Sequence, residues 1–184
     1  MRLKRAPLLV LVLSLGAGSL SAQATPEAAA TAFGTAIAGG DWAAAARLMH
    51  PAALRQFRDF FSLALTNDKL TEAREKLFGF KSTAEASAAP DTVLFAALLK
   101  NMLSRQPGYL EAMKTAKVEP LGHIQQGDTV LVVVRVGLKA GNIPITQFDV
   151  MPFLRDGAVW RGLLKADITN MAAMLKGLVT PVGG

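Results

Sequence analysis

The chain reads as an α+β protein: N-terminal helices packed on a curved antiparallel sheet of about four strands, with a C-terminal helix. Three observations predict this. Apolar residues recur at helical spacing up to residue 116. From Lys117 the pattern becomes that of strands, with five valines between Thr129 and Leu138. The turn pairs Gly127-Asp128 and Asp156-Gly157 punctuate this later part. Helices first and strands second is the α+β order.

Before the first helix stands an address. Arg2, Lys4 and Arg5 precede an apolar run over residues 8–15, and Ala22-Gln23-Ala24 is a small-x-small cleavage site. Residues 1–24 are therefore expected to be a signal peptide cut after Ala24, with Ala22 as the alternative. The run from Ala6 to Leu20 is short of the roughly 20 apolar residues a spanning helix needs. The leader carries three of the twenty basic residues and none of the fourteen acidic ones, which takes the net charge from +6 to +3. That removes most support for a nucleic-acid partner. No later segment is long and apolar enough to span a bilayer, so no membrane insertion is expected after the leader is removed. The expected location is the periplasm or the outside medium.

Thr25 and Pro26 open the first helix as cap and first-turn pair, and Gly39-Gly40 ends it. Asp41 caps a second helix and His50-Pro51 breaks it. Residues 52–65 form a third, with Leu54, Phe57, Phe61 and Leu65 on one face. Residues 68–78 read as a charged helix whose Lys69, Arg74 and Lys76 alternate with Glu72 and Glu75 on a solvated face. Residues 81–90 read as a connection of small residues. Residues 91–104 form a helix with Val93, Leu94, Ala97, Leu98 and Met102 on one side. Pro107-Gly108 breaks it, and residues 109–116 add a turn or two.

Strands are expected over 118–125, 129–138, 145–155 and 158–165, with a loop over 140–144. Pro152 fits the third strand only at an edge or bulge. Asp167 then caps a helix over 168–178, and residues 180–184 read as a flexible tail. The length suits one domain over 25–179. The second strand is apolar on both faces, so both should be covered: one by helices, the other by the C-terminal helix or by a second copy of the chain. Monomer and homodimer both stay open.

With no cysteine among 184 residues, disulfides, thiolate metal sites and cysteine nucleophiles are excluded. No phosphate loop, dinucleotide fingerprint, zinc-protease helix, nucleophile elbow or calcium loop occurs. No metal site and no cofactor are expected.

The motifs Gly40-Asp41-Trp42, His50-Pro51, Gln126-Gly127-Asp128-Thr129-Val130 and Asp156-Gly157-Ala158-Val159-Trp160-Arg161 stand in a familiar order. With them the chain resembles the nuclear-transport-factor-2-like superfamily over roughly residues 25–165. The resemblance implies a cone-shaped α+β fold. Members include small-molecule isomerases, dehydratases, binding proteins and exported proteins of unknown role. The chain departs from the compact pattern by extra helix between His50 and Lys117 and by the helix after the last strand.

The candidate catalytic residues are Asp149 and His123. Asp149 shares strand parity with Ile145, Gln147, Met151 and Phe153; facing a desolvated interior it would suit proton transfer. The alternative is pairing with Arg135 or Arg161, or solvation at the sheet surface. His123 lies mid-strand, and an ordinary sheet histidine is its other reading. His50, before Pro51, would cap free carbonyls at the end of the preceding helix. Tyr109, Arg135, Met151 and Trp160 are candidate ligand-binding residues. Trp42 and Trp160 also read as core anchors. The methionines Met102, Met113, Met151, Met171 and Met174 would fill the core or line a greasy pocket. Two functions follow. The first is an exported non-enzymatic domain binding a small apolar ligand or an envelope protein. The alternative is a cofactor-free lyase or isomerase with an Asp or His general base in the cone.

Overall fold

The computed structural model describes residues 23–105 and 108–179, the side chains of Tyr109, Ala172, Ala173 and residues 175–179 excepted. The leader expected over residues 1–24 lies outside them except for its last two residues, and so does the tail over 180–184.

Helix α1 (Pro26–Ala38) begins where Thr25 accepts a hydrogen bond from the Ala28 amide at 3.1 Å. Asp41 caps α2 (Trp42–Arg47) through the Ala44 amide at 2.8 Å. In α3 (Pro51–Thr66) the face of Leu54, Phe57, Phe61 and Leu65 is buried, as the spacing predicts. A 3₁₀ turn (Asp68–Leu70) leads into α4 (Thr71–Phe78), so the charged segment is two pieces rather than one helix. Its Arg74 is fully buried instead of lying on a solvated face.

The connection over 81–90 contains a helix, α5 (Thr83–Ala88). Ser82 accepts from the Glu85 amide at 3.1 Å, and Glu85 accepts from the Lys81 amide at 3.3 Å. The Ser82 cap thus satisfies an amide in the first turn, while Glu85 reaches one residue past the cap to hold the Lys81 amide. Helix α6 (Asp91–Ser104) has the expected bounds but a rotated inner face. Leu94, Phe95 and Leu98 are buried, while Val93 and Met102 are exposed. The helix lies between α2, α3 and α4, and Phe95 fills the aromatic cluster with Phe57 at a centroid distance of 5.3 Å. Helix α7 (Tyr109–Lys114) follows a left-handed Gly108.

The sheet is antiparallel and curved, in the order β1 (Lys117–Gln126), β2 (Thr129–Ala140), β3 (Ile143–Asp156), β4 (Val159–Gly162). Its hairpins turn on Gly127, Gly141 and Gly157, at φ 59°, 61° and 62°. A glycine at the first central position suits the two-residue turns that match strand twist. The expected loop over 140–144 is thus only a tight turn at Gly141-Asn142. Strand β4 ends at Gly162, not at Lys165, for a reason found in β3. Pro152 accepts from the Leu163 amide at 2.8 Å, but the reciprocal bond needs an N–H that proline lacks. The ladder stops there.

The helix α8 (Ala166–Val179) begins before Asp167, which sits in its first turn rather than capping it. It packs on α3, with Ile168 and Met171 against the helical core. It therefore does not cover the second face of the sheet. The first face carries Val130, Val132 and Val134, buried under Ala29 and Ala30 of α1. Small residues let this helix come close: a Cβ on Gly34 would stand 2.3 Å from Val118 Cγ2.

Candidate functional site

The early end of β4 leaves a gap between β3, α6 and the start of α8. It is an apolar cleft of about 280 Å³. Phe33 of α1, Phe95 and Leu99 of α6, and Met151 of β3 line it, and Leu164 and Ile168 close its far side. Met49 and Gly162 form one corner. There the α2–α3 junction runs beside β4: Gly162 donates to the Leu48 carbonyl at 2.9 Å and accepts from the His50 amide at 2.8 Å. A larger groove of about 470 Å³ between α2 and α6 includes Trp42, Val93 and Lys100, but it lies open on the surface. The smaller cleft is the more enclosed, so it is the better candidate for holding a ligand.

Charge enters the cleft at its rim. Lys165 lines it and donates to Asp149 Oδ2 at 2.6 Å. Asp149 Oδ1 accepts from the Val150 amide at 2.8 Å. Both carboxylate oxygens are thus engaged, and the partner is Lys165 rather than Arg135 or Arg161. The register explains this. Asp149 is opposite Val134 on the inner face, whereas Arg135 is opposite Phe148 on the other face. Arg135 bonds Glu119, its cross-strand neighbour on β1, through Nε at 3.1 Å. Arg161 bonds Asp156 at 2.7 Å and the Arg47 carbonyl at 2.7 Å, capping the end of α2.

His123 stands in the same cross-strand row as Met151, two strands away, and does not line the cleft. Its Nδ1 pairs with Glu27 on the first turn of α1, and this hydrogen bond holds the Glu27 carboxyl below its ordinary value against the opposing cost of burial. His50 caps α3 at its N-terminus instead of the end of α2: Nδ1 accepts from the Ala52 amide at 3.1 Å. An accepting Nδ1 carries no proton, so it places the neutral ring's hydrogen on Nε2.

Of the four candidate ligand-binding residues, Met151 lines the cleft. Trp160 packs instead into the sheet core with Val130 and Phe153. Arg135 stands on the opposite face of the sheet. Tyr109 opens α7, and its side chain lies outside the described residues. Met102 joins Met151 in the cleft, while Met113 packs beside Leu138, Met171 lies on the helical core and Met174 is exposed. Lys165 and Met49 were not singled out from the sequence. Lys165 was assigned to a strand, and Met49 carries no signal beyond its apolar character. Among the described residues no group of three or more His, Asp or Glu side chains is placed to hold a metal.

The chain matches no protein-family model, no curated protein and no solved structure, so a functional reading rests on its own residues.

Proposed function

We propose that this protein is an exported, non-enzymatic domain of the nuclear-transport-factor-2-like kind, and that it holds a small apolar ligand in the cleft between α6, β3 and α8. The observation that carries this reading is the cleft itself: about 280 Å³ of largely apolar lining whose charged residues are Asp167 and Lys165, the latter paired with Asp149. A dry apolar cavity of roughly 150 Å³ suffices to take benzene. The cleft thus suits a ligand of about ten to fifteen heavy atoms. Proton-transfer chemistry would need at least two of Asp149, His123, Arg135 and Tyr109 to converge. Of these, Asp149 has both oxygens taken, His123 and Arg135 pair with Glu27 and Glu119, and the Tyr109 side chain lies outside the described residues.

Thermal unfolding against decanol, decanoate and 1-naphthol tests the reading. Ligand at about a hundred times its Kd stabilises by about 2.7 kcal/mol. For a chain of this size that raises the midpoint by roughly 5–10 °C. Leu99→Trp, which fills the cleft, is expected to abolish the rise. A panel that leaves the midpoint unmoved, or a rise that survives Leu99→Trp, overturns the ligand reading and leaves an envelope protein as partner.

A further inference from the structure

The groove between α2 and α6 holds about 470 Å³, and beyond Trp42 a second hollow of about 240 Å³ carries on to the end of α1 and to α7. Trp42 and Lys100 line both, so the two form one trough. Its larger part is mostly apolar: Trp42, Ala96 and Ala97 are half-buried there, and Val93 is 46% exposed. The charged residues lining that part are Arg47 and Lys100, both exposed. Among the described residues neither side chain has an ion-pair partner. The acid that lines the second hollow, Glu111, is already held by Lys114 at 2.6 Å. An apolar trough with two unanswered cations is complementary to an apolar partner that carries acids.

We infer that this trough is the docking site for an amphipathic helix of a partner protein, whose acidic side chains flank its apolar stripe two turns apart. Three features select that occupant. The first is the nature of the walls. Both are helices, which bond their backbone groups internally, so an extended segment finds no backbone partners there. A strand laid in the trough would press unpaired N–H and C=O groups against apolar side chains, whereas a helix arrives with its own already satisfied. The second is the placing of the charges. Lys100 stands with Trp42 where the two hollows meet. Arg47 ends α2, about 7 Å further along its axis at the ordinary helical rise. Both side chains are long and reach beyond these points, so together they suit two acids spaced by about two turns, or roughly 11 Å. The single head group of a fatty acid would answer one cation and leave the other. The third is shape. The trough is open along its length, so it would leave a small molecule largely in water. It is also concave, so a flat lipid surface does not fill it, and a helix does. No residue lines both the trough and the cleft, which lie on different faces of α6, so this docking is independent of the ligand reading.

Two synthetic peptides of about 18 residues, long enough to form a helix, serve as probes. Both carry a leucine stripe at helical spacing among alanine and glutamine. In one, two glutamates flank the stripe two turns apart; in the other, two lysines do. Calorimetry with the whole protein is expected to show the glutamate peptide binding at least tenfold more tightly than the lysine peptide, by a margin that shrinks as salt is raised. Arg47→Glu combined with Lys100→Glu should reverse the preference. Val93→Asp should weaken the glutamate peptide at least tenfold. All three side chains are exposed, so circular dichroism of these variants should match the parent. Leu99→Trp, which fills the cleft, should leave peptide binding unchanged. Silence from the glutamate peptide at millimolar concentration overturns the inference. So does a preference indifferent to the double reversal, binding indifferent to Val93→Asp, or binding lost with Leu99→Trp.

Discussion

Arg74 is a fully buried arginine whose acceptors are all uncharged. Its guanidinium donates to the Asn67 carbonyl at 3.2 Å, the Thr71 hydroxyl at 3.0 Å and the Lys81 carbonyl at 3.4 Å, while Nε has no partner. The residue thus ties the turn before α4 to the loop after it. Arg74→Ala removes these bonds and opens a void. The expected loss is about 3 kcal/mol in chemical denaturation. Arg74→Met keeps most of the volume and sheds a buried charge, so it should cost clearly less. A methionine variant as unstable as the alanine variant would put the stability in the hydrogen bonds rather than the packing. This burial was not legible in the sequence, because an arginine among Glu72, Glu75 and Lys76 reads as solvent-facing. The Lys76–Glu72 pair is where that reading holds, on the exposed side of the same helix. Phe57 and Phe61 were legible because an aromatic at helical spacing has only one economical place to go.

At the scale of elements, local signals carried most of the outline, and what they missed has identifiable causes. Helix α5 escaped because its alanines and serines look like a linker, although Ser82 followed three residues later by Glu85 is a helix-start signature. The length of β4 depended on Pro152, a residue in another strand, and no reading of residues 158–165 alone reveals it. The cleft inherits that illegibility, since it exists where β4 stops. The contact between α1 and β1 carries a titratable tie. His123 holds the Glu27 carboxyl below its usual 4.5, so the ionised carboxylate favours the folded state. A lowered folded value means the contribution is present above the ordinary carboxylate range and lost as pH falls through the lowered one. Glu27→Gln should therefore destabilise the protein by less than about 1 kcal/mol near neutrality, as partly exposed pairs do. The gap between parent and variant should close in acid. Denaturation midpoints for the two proteins that stay equally far apart below pH 4 would show that Glu27 acts through something other than its charge.

On the scale of the whole molecule, burial is uneven. The helical body is built on Phe57, Phe61, Phe78 and Phe95, with ring centroids 4.9–6.2 Å apart. The sheet has a thinner core: the valines of β2 and Phe153 under the alanines of α1. Its buried residues are fewer and smaller than those of the helical body. The two are joined by the strip where residues 48–50 run beside Gly162, with two backbone hydrogen bonds and Met49 packed on the glycine, and by Phe33 of α1 and Leu163 packed on the helical core. The sheet should therefore borrow its stability from the helical body. Phe57→Ala, a large-to-small change in a fully buried position, is expected to cost about 4 kcal/mol. Native-state hydrogen exchange reads where that cost falls. If the bodies unfold together, the slowest amides of β2 lose as much protection as those of α3, because both exchange through the same global opening. If β2 keeps its protection while α3 loses it, the strip at Gly162 is a hinge between two independent units. In that case the cleft beside it would open without unfolding the sheet, and ligand binding would be set by how far the two units part.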